Sequence, residues 1–237
     1  MKVVERPAGG GWLALVGGGE FSFGETYDAD EAWLAKVPEG GAVGFLPTAS
    51  GSIDYGHHFA DYLEGEFARL CEIVPVYRGR DARRGKNLER IAESAAVYVG
   101  GGVADDLLDT LADSPAAEAL LEKLRSGGTV VAIAAAAQVF GRWARSLDPR
   151  GEHLPGLGWL PGGVVEPNFA PDHDRRLRKL LAQPGARWGL GLPAGSALLL
   201  GPEGEREIVG TVFTVDGPEG DLEAHGEPWD DEPELEA

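Results

Sequence analysis

The sequence predicts an α/β fold: a three-layer α/β/α arrangement around a mostly parallel central sheet, with an antiparallel hairpin at its C-terminal edge. Three observations lead there. Short β-branched or apolar runs closed by turn residues alternate with segments of helical spacing along most of the 237 residues. Such alternation means right-handed βαβ units with helices on both faces of the sheet. The hydrophobic fraction of 43% is that of a globular chain able to bury a sizeable core, and 36 glycines with 16 prolines supply many tight turns.

Taken in order, the predicted strands are Trp12–Val16, Ala42–Leu46, Glu72–Tyr77, Ala95–Val99, Thr129–Ile133 and Ala197–Leu200. Each is four to six residues of apolar or β-branched character. The predicted helices between them are Asp28–Lys36, His58–Leu70, Asn87–Ser94, Asp105–Ala112, Pro115–Arg125, Gln138–Leu147 and Asp174–Ala182, several opening on an acidic residue or on Ser-Pro. The final runs, Ser196–Leu200 and Glu207–Val215, flank the turn Pro202-Glu203-Gly204-Glu205 and read as the edge hairpin.

Length and pattern call for one domain over residues 1–216. The remainder, 217–237, carries nine acidic residues and no Lys or Arg, lacks apolar periodicity, and reads as a solubilising, mostly disordered tail; Trp229 would be its anchor if it docked on a basic partner. The net charge of −18 argues against nucleic acid or an anionic membrane as partner. Cys71 is the single cysteine, which excludes a disulfide within the chain, and its setting is that of a small buried hydrophobe. The longest apolar run, Val130–Ala137, is too short to span a bilayer, and Trp12–Val16 is too short for a signal peptide, so a cytoplasmic protein is expected.

In open α/β sheets ligands bind beyond the carboxyl ends of the strands. Those places read GGGEF (Gly17–Phe21), PTASGS (Pro47–Ser52), GGGVADD (Gly100–Asp106), AAAAQ (Ala134–Gln138) and EPNF (Glu166–Phe169). Glycine clusters there permit close backbone approach and can offer N–H groups to an anion, although most such glycines are steric.

These pieces together resemble the cyanophycinase and dipeptidase E family of serine peptidases, related in fold to class I glutamine amidotransferases. The landmarks are Gly17-Gly18-Gly19-Glu20, Pro47–Ser50, Gly101-Gly102 followed by Leu107-Leu108, Gly127–Gly141, Arg176–Leu181 and Gly189–Leu200, in the family's order from Trp12 to Val215. The resemblance implies a serine on a strained strand-to-helix elbow, a histidine base, an acid orienting it, and backbone donors for the oxyanion. Carried over by motif, the elbow falls on Ala132–Ala136 with Ala134 at the serine position. The base position holds Asn168, and the acid segment Gly191–Ala197 has Pro193 and Ala194 where a carboxylate is expected. In the substrate turn, Val103 and Ala104 follow Gly101-Gly102 where the family is polar.

An alanine methyl cannot attack a carbonyl, and an Asn amide does not titrate near neutral pH. The reading is therefore a degenerate triad, with a vestigial pocket formed by Gly18, Gly19, Glu20, Ser50, Gly101, Gly102, Ala135 and Phe169. Ala132 and Ala136 in place of the elbow's flanking glycines lead us to expect that the elbow's strain has been relaxed.

Other chemistry is weighed against plainer roles. Ser50 reads as a pocket-wall hydroxyl or helix cap, and His57-His58 as surface residues, since neighbours on a helix point to different sides. Glu166, Asp172, His173 and Asp174, with His153 as a further donor, form the candidate metal set, against the plainer reading of a helix start whose aspartates face the dipole. No cofactor is expected. Trp143, Trp159 and Trp188 read as core or interface residues, and GLGWLPGG (Gly156–Gly163) as an exposed apolar edge suited to a symmetric dimer. The function expected is that of an inactive relative that binds, scaffolds or regulates, with a second copy of itself, an active paralogue or another protein as partner. The alternatives are a peptide or amide hydrolase with a relocated or metal-dependent site, and a peptidase whose triad lies elsewhere.

Overall fold

The computed structural model describes residues 1, 3–50, 52–148 and 153–228. Its strands are β1 (Leu13–Val16), β2 (Val43–Leu46), β3 (Cys71–Ile73), β4 (Ala96–Val99), β5 (Thr129–Ile133), β6 (Trp143–Arg145), β7 (His153–Pro155), β8 (Gly163–Pro167), β9 (Trp188–Leu192), β10 (Ala197–Leu200), β11 (Arg206–Val209), β12 (Thr211–Asp216) and β13 (Leu222–Gly226). Its helices are α1 (Tyr27–Leu34), α2 (Ile53–Phe67), α3 (Gly85–Glu93), α4 (Ala104–Leu111), α5 (Pro115–Arg125), α6 (Ala135–Phe140) and α7 (Arg175–Leu181).

Seven strands form the main sheet in the order β11-β10-β1-β5-β4-β2-β3. From β1 to β3 the pairing is parallel, and β10 and β11 add an antiparallel edge. The continuous apolar runs have a simple cause: alternate residues of each strand enter different cores, so both faces need apolar side chains. Leu13, Leu15, Val97, Val99, Val130 and Ala132 pack under α4, α5 and α6. Ala14, Val16, Ala96, Tyr98, Val131 and Ile133 pack under α1 and α2. β5 lies at the centre with all five residues buried.

A second sheet, β13-β12-β9-β8, adjoins this body, and β6 pairs with β7 as a separate ribbon. Here the structure departs from the sequence reading in four places. The predicted strand Glu207–Val215 breaks at Gly210, whose φ of +64° turns the chain from β11 in the main sheet into β12 in the second. The predicted helix Gln138–Leu147 stops at Phe140, because Gly141 is extended and Arg142 N–H bonds Gly163 O, so that Trp143–Arg145 becomes β6.

The acidic segment is also corrected in part. Leu222–Gly226 is strand β13, paired antiparallel with β12 from Val215↔Leu222 to Thr211↔Gly226. Its acidic residue Glu223 stays exposed while its backbone groups find ladder partners and Leu222 packs on the core of Phe169, Leu177 and Phe213, so charge did not prevent pairing. Trp229 lies outside the described residues. Finally, Gly156–Gly163 is not an apolar edge: Trp159 is buried against Phe140, ring centroids 4.3 Å apart, and Leu160 is fully buried. Among the described residues no helix is long and apolar enough to cross a membrane.

Candidate functional site

The carboxyl ends of β1, β4 and β5 meet the start of the β8–α7 connection, and a cavity of about 300 Å³ opens there. Gly18, Gly19, Ala49, Ser50, Tyr55, Gly101, Gly102, Ile133, Ala134 and Asn168 line it. The geometry is fixed from the backbone. Ala134 N–H donates to Val16 O at 2.9 Å, extending the β1–β5 ladder by one bond, and Ala134 O accepts from Gln138 N–H at 3.1 Å to start α6. The chain must turn from strand to helix between those two bonds, and Ala134 absorbs the turn with φ 52° and ψ −118°.

That backbone is a sparsely populated one for a residue with a Cβ, at a cost of about 1–3 kcal/mol. The expectation of a relaxed elbow is thus overturned. The strain belongs to the strand–turn–helix path, which both bracketing hydrogen bonds impose whatever side chain stands there.

Asn168 faces Ala134 across the cavity from a second unusual backbone, φ 48°, in the left-handed region that Asn tolerates better than most residues. Its N–H donates to Gly17 O at 2.8 Å, and its amide lies so close over Gly18 that any Cβ at that glycine would collide with it. Gly102 is under the same constraint from the Ala49 carbonyl and has φ 139°. Gly18 and Gly102 are therefore required in the cavity wall, one by the Asn168 side chain and the other by the Ala49 backbone.

Not every residue of the expected pocket reaches this cavity. Glu20 turns its carboxylate back to Ser22 N–H at 3.4 Å, capping the short 3-10 turn Phe21–Phe23. Ala135 packs against the core beneath α6, and Phe169 is buried against Phe213. Pro193 and Ala194 sit in the turn that backs Gly17–Gly19, where Gly195 N–H donates to Gly18 O, and neither lines the cavity. Tyr55, Ala49 and Ile133 do line it and escaped the sequence reading. Tyr55 is three residues into the helix that follows PTASGS, and that spacing was the available signal.

Ser50 Oγ lies 3.0 Å from Pro47 O and 3.0 Å from Ser52 O, a turn hydroxyl on the wall, and no histidine lines the cavity with it. Burial and the charges of Glu20 and Asp30 push the Tyr55 phenol up to about 12, so it is a neutral donor at physiological pH. His57 and His58 are exposed on α2.

Behind Asn168 a neighbouring cavity of about 490 Å³ gathers Glu166, Phe169, Ala170, Asp172, His173, Asp174, Arg175 and Arg176. Each candidate metal donor there has another attachment. Asp172 pairs with His173 at 2.9 Å, and Asp174 pairs with Arg178 at 2.6 Å from the N-cap position of α7. Glu166 accepts from Gln138 Nε2 at 3.2 Å and pairs with Arg145 at 3.4 Å. Burial pushes the Glu166 carboxyl up, opposed by Arg145 and Arg176. Among the described residues no three His, Cys, Asp or Glu side chains gather closely enough to hold an ion.

One further polar group is buried away from the cavity. Asp30, fully enclosed, accepts from Thr26 Oγ1 at 2.7 Å, Trp33 Nε1 at 2.8 Å and Tyr62 Oη at 3.0 Å. Burial raises its carboxyl from 3.8 to about 6 against the pull of those three donors.

With this geometry the kinship is clear: the chain belongs to peptidase family S51, whose model matches residues 13–208. Its structure is similar to that of a peptidase from an acI-B1 Actinobacterium, with TM-score 0.73 and 24% identity over 93% of this chain and 97% of that one. It is also similar to a putative Peptidase E protein from Listeria monocytogenes EGD-e, with TM-score 0.61 and 16% identity over 84% of this chain and 98% of the other. At these identities the likeness is one of fold. No curated protein matches the chain.

Proposed function

We propose that this member of family S51 has lost the serine-peptidase reaction and acts as a binding, scaffold or regulatory protein built on the peptidase fold. One observation carries the reading. Ala134 holds the strained φ 52°, ψ −118° of a nucleophile elbow, and its side chain is a methyl. An elbow presents a nucleophile at the top of the sheet; here it presents a group with no lone pair and no proton to transfer. Asn168 opposite can donate and accept hydrogen bonds but cannot take a proton near neutral pH, and the Pro193–Ala194 turn offers no carboxylate to orient a base.

What remains is a small cavity with glycine walls and three neutral polar side chains, Ser50, Tyr55 and Asn168. It suits a neutral ligand or a chain end held by backbone groups, with a second copy of this chain or an intact relative as the macromolecular partner. Because Trp159 is buried, a dimer would use a face other than Gly156–Gly163.

The test is activity-based labelling with a serine-directed fluorophosphonate, together with turnover of aspartyl dipeptides. Neither signal is expected from the natural chain. Ala134→Ser should not restore turnover, since no base or acid faces the new hydroxyl. Labelling of the natural chain at Ser50 or Ser52 would overturn the proposal.

A further inference from the structure

A third and larger cavity, about 650 Å³, opens beyond the carboxyl ends of β2 and β3, on the far side of the Pro47–Ser52 loop from the elbow. Thr48 and Ser52 come from that loop, Tyr77, Arg78, Gly79 and Arg80 from the segment after β3, and Asp106, Asp109 and Thr110 from α4. It shares none of its lining with the elbow cavity.

Two features mark it as a built site. Thr48 is 5% exposed, and its Oγ1 has no hydrogen-bond partner among the described residues. A buried hydroxyl left unpaired is destabilising, and a ligand group that reaches it recovers that cost. The second feature is charge of both signs around one space, exposed and in part unpaired. Asp81 is engaged, 3.2 Å from Arg84 and 3.7 Å from Arg80. The side chains of Arg78, Asp106 and Asp109 make no ion pair or hydrogen bond within the described residues. Asp106 and Asp109, three apart on α4, share one helix face.

Beside the Arg80–Asp81–Arg84 cluster, the unpaired side chains are thus one cation and two anions, all three exposed. An anion alone would satisfy Arg78 and leave the two aspartates uncompensated. A ligand that carries a carboxylate and at least one ammonium complements all three.

We propose that this cavity binds a free α-amino acid of neutral or positive net charge. The carboxylate meets Arg78, which can hold it in bidentate fashion, with the Thr48 hydroxyl as a further donor. The ammonium groups meet Asp106 and Asp109. The site lies outside the elbow and does not depend on the fate of the triad.

Calorimetric titration of the full chain at low salt with lysine, alanine and glutamate tests this. Lysine should bind most tightly, alanine less so and glutamate least. Arg78→Ala, and separately Asp106→Asn with Asp109→Asn, should each weaken lysine about tenfold or more, as expected for loss of a charge-assisted contact. Thr48→Val removes a hydroxyl that the fold does not use, so it should weaken binding while leaving the melting temperature unchanged or raised. Asn168→Ala, in the elbow cavity, should leave lysine binding unchanged. Absence of lysine binding up to about 10 mM, weaker than any useful site, would overturn the proposal. So would an affinity indifferent to Arg78→Ala, or glutamate binding best.

Discussion

The elbow cavity and the pocket around Asp30 share the segment that joins β1 to α1, yet they treat polar groups in opposite ways. At the elbow the backbone is strained and the side chain that the strain would serve is a methyl. Around Asp30 the backbone is an ordinary helix, and the side chain is a fully buried carboxylate with three donors aimed at it. The elbow's geometry is a property of the sheet, so chemistry can be removed from it without disturbing the fold. The Asp30 network is a property of side chains, so removing Asp30 strands all three donors. The Asp30 carboxylate is held by side chains committed to it; the elbow's strain is held by backbone hydrogen bonds alone.

The comparison breaks first at Asp30. Asp30→Ala leaves the buried Thr26 and Trp33 donors and the half-buried Tyr62 hydroxyl unmatched, and should cost about 1–3 kcal/mol in urea unfolding at neutral pH. A cost below about 1 kcal/mol would show that water replaces the carboxylate freely.

The pH dependence is next. The folded-state value of about 6 lies above the 3.8 of the unfolded chain, so the folded state holds this proton more tightly. The resulting stability is fully present below pH 3.8 and is lost as pH rises through 6, by about 3 kcal/mol in all. Asp30→Asn should remove this part of the slope of unfolding free energy between pH 4 and 6, whatever it does to stability itself.

At the elbow the effects are smaller and one has an unusual sign. Ala134→Gly should stabilise by about 1 kcal/mol, because glycine adopts φ 52°, ψ −118° without a Cβ clash. Ala136→Gly, two residues on inside α6, should destabilise by about the same amount. Equal losses at both positions would mean that Ala134 is unstrained. Smallest of all, Ala134→Ser should change thermal stability by less than about 0.5 kcal/mol, since the cavity has room for a hydroxyl.

Much of this was legible in the sequence. The parallel strands that fill both cores announced themselves as unbroken apolar runs, and the glycine clusters at their ends pointed to the cavity that gathers Ala134, Asn168, Gly101 and Gly102. What was hidden depends on what packs beside a segment rather than on the segment's own pattern. β8 and β13 are strands because β9 and β12 lie beside them, and Leu222–Gly226 has no strand pattern of its own. The retained strain at Ala134 was misread from its alanine neighbours, although two backbone hydrogen bonds decide it. Asp30 gave no signal either: Thr26 and Trp33 lie one helical turn to either side of it, but Tyr62 joins them only once α2 packs on α1.

One pairing has a consequence in time. β1 lies between β5 and β10, and its partner Ala197–Leu200 follows it by about 180 residues. On the ribosome, at roughly 5–20 residues per second, Leu13–Val16 would wait on the order of 10–40 s before the strand that covers its second edge emerges. Through that interval a fully apolar strand keeps an open row of backbone donors and acceptors, a template for the wrong neighbour. Newly made chains of this protein should therefore depend on a holding chaperone more than their final stability would suggest, and truncation before residue 197 should yield aggregate rather than a smaller soluble fold.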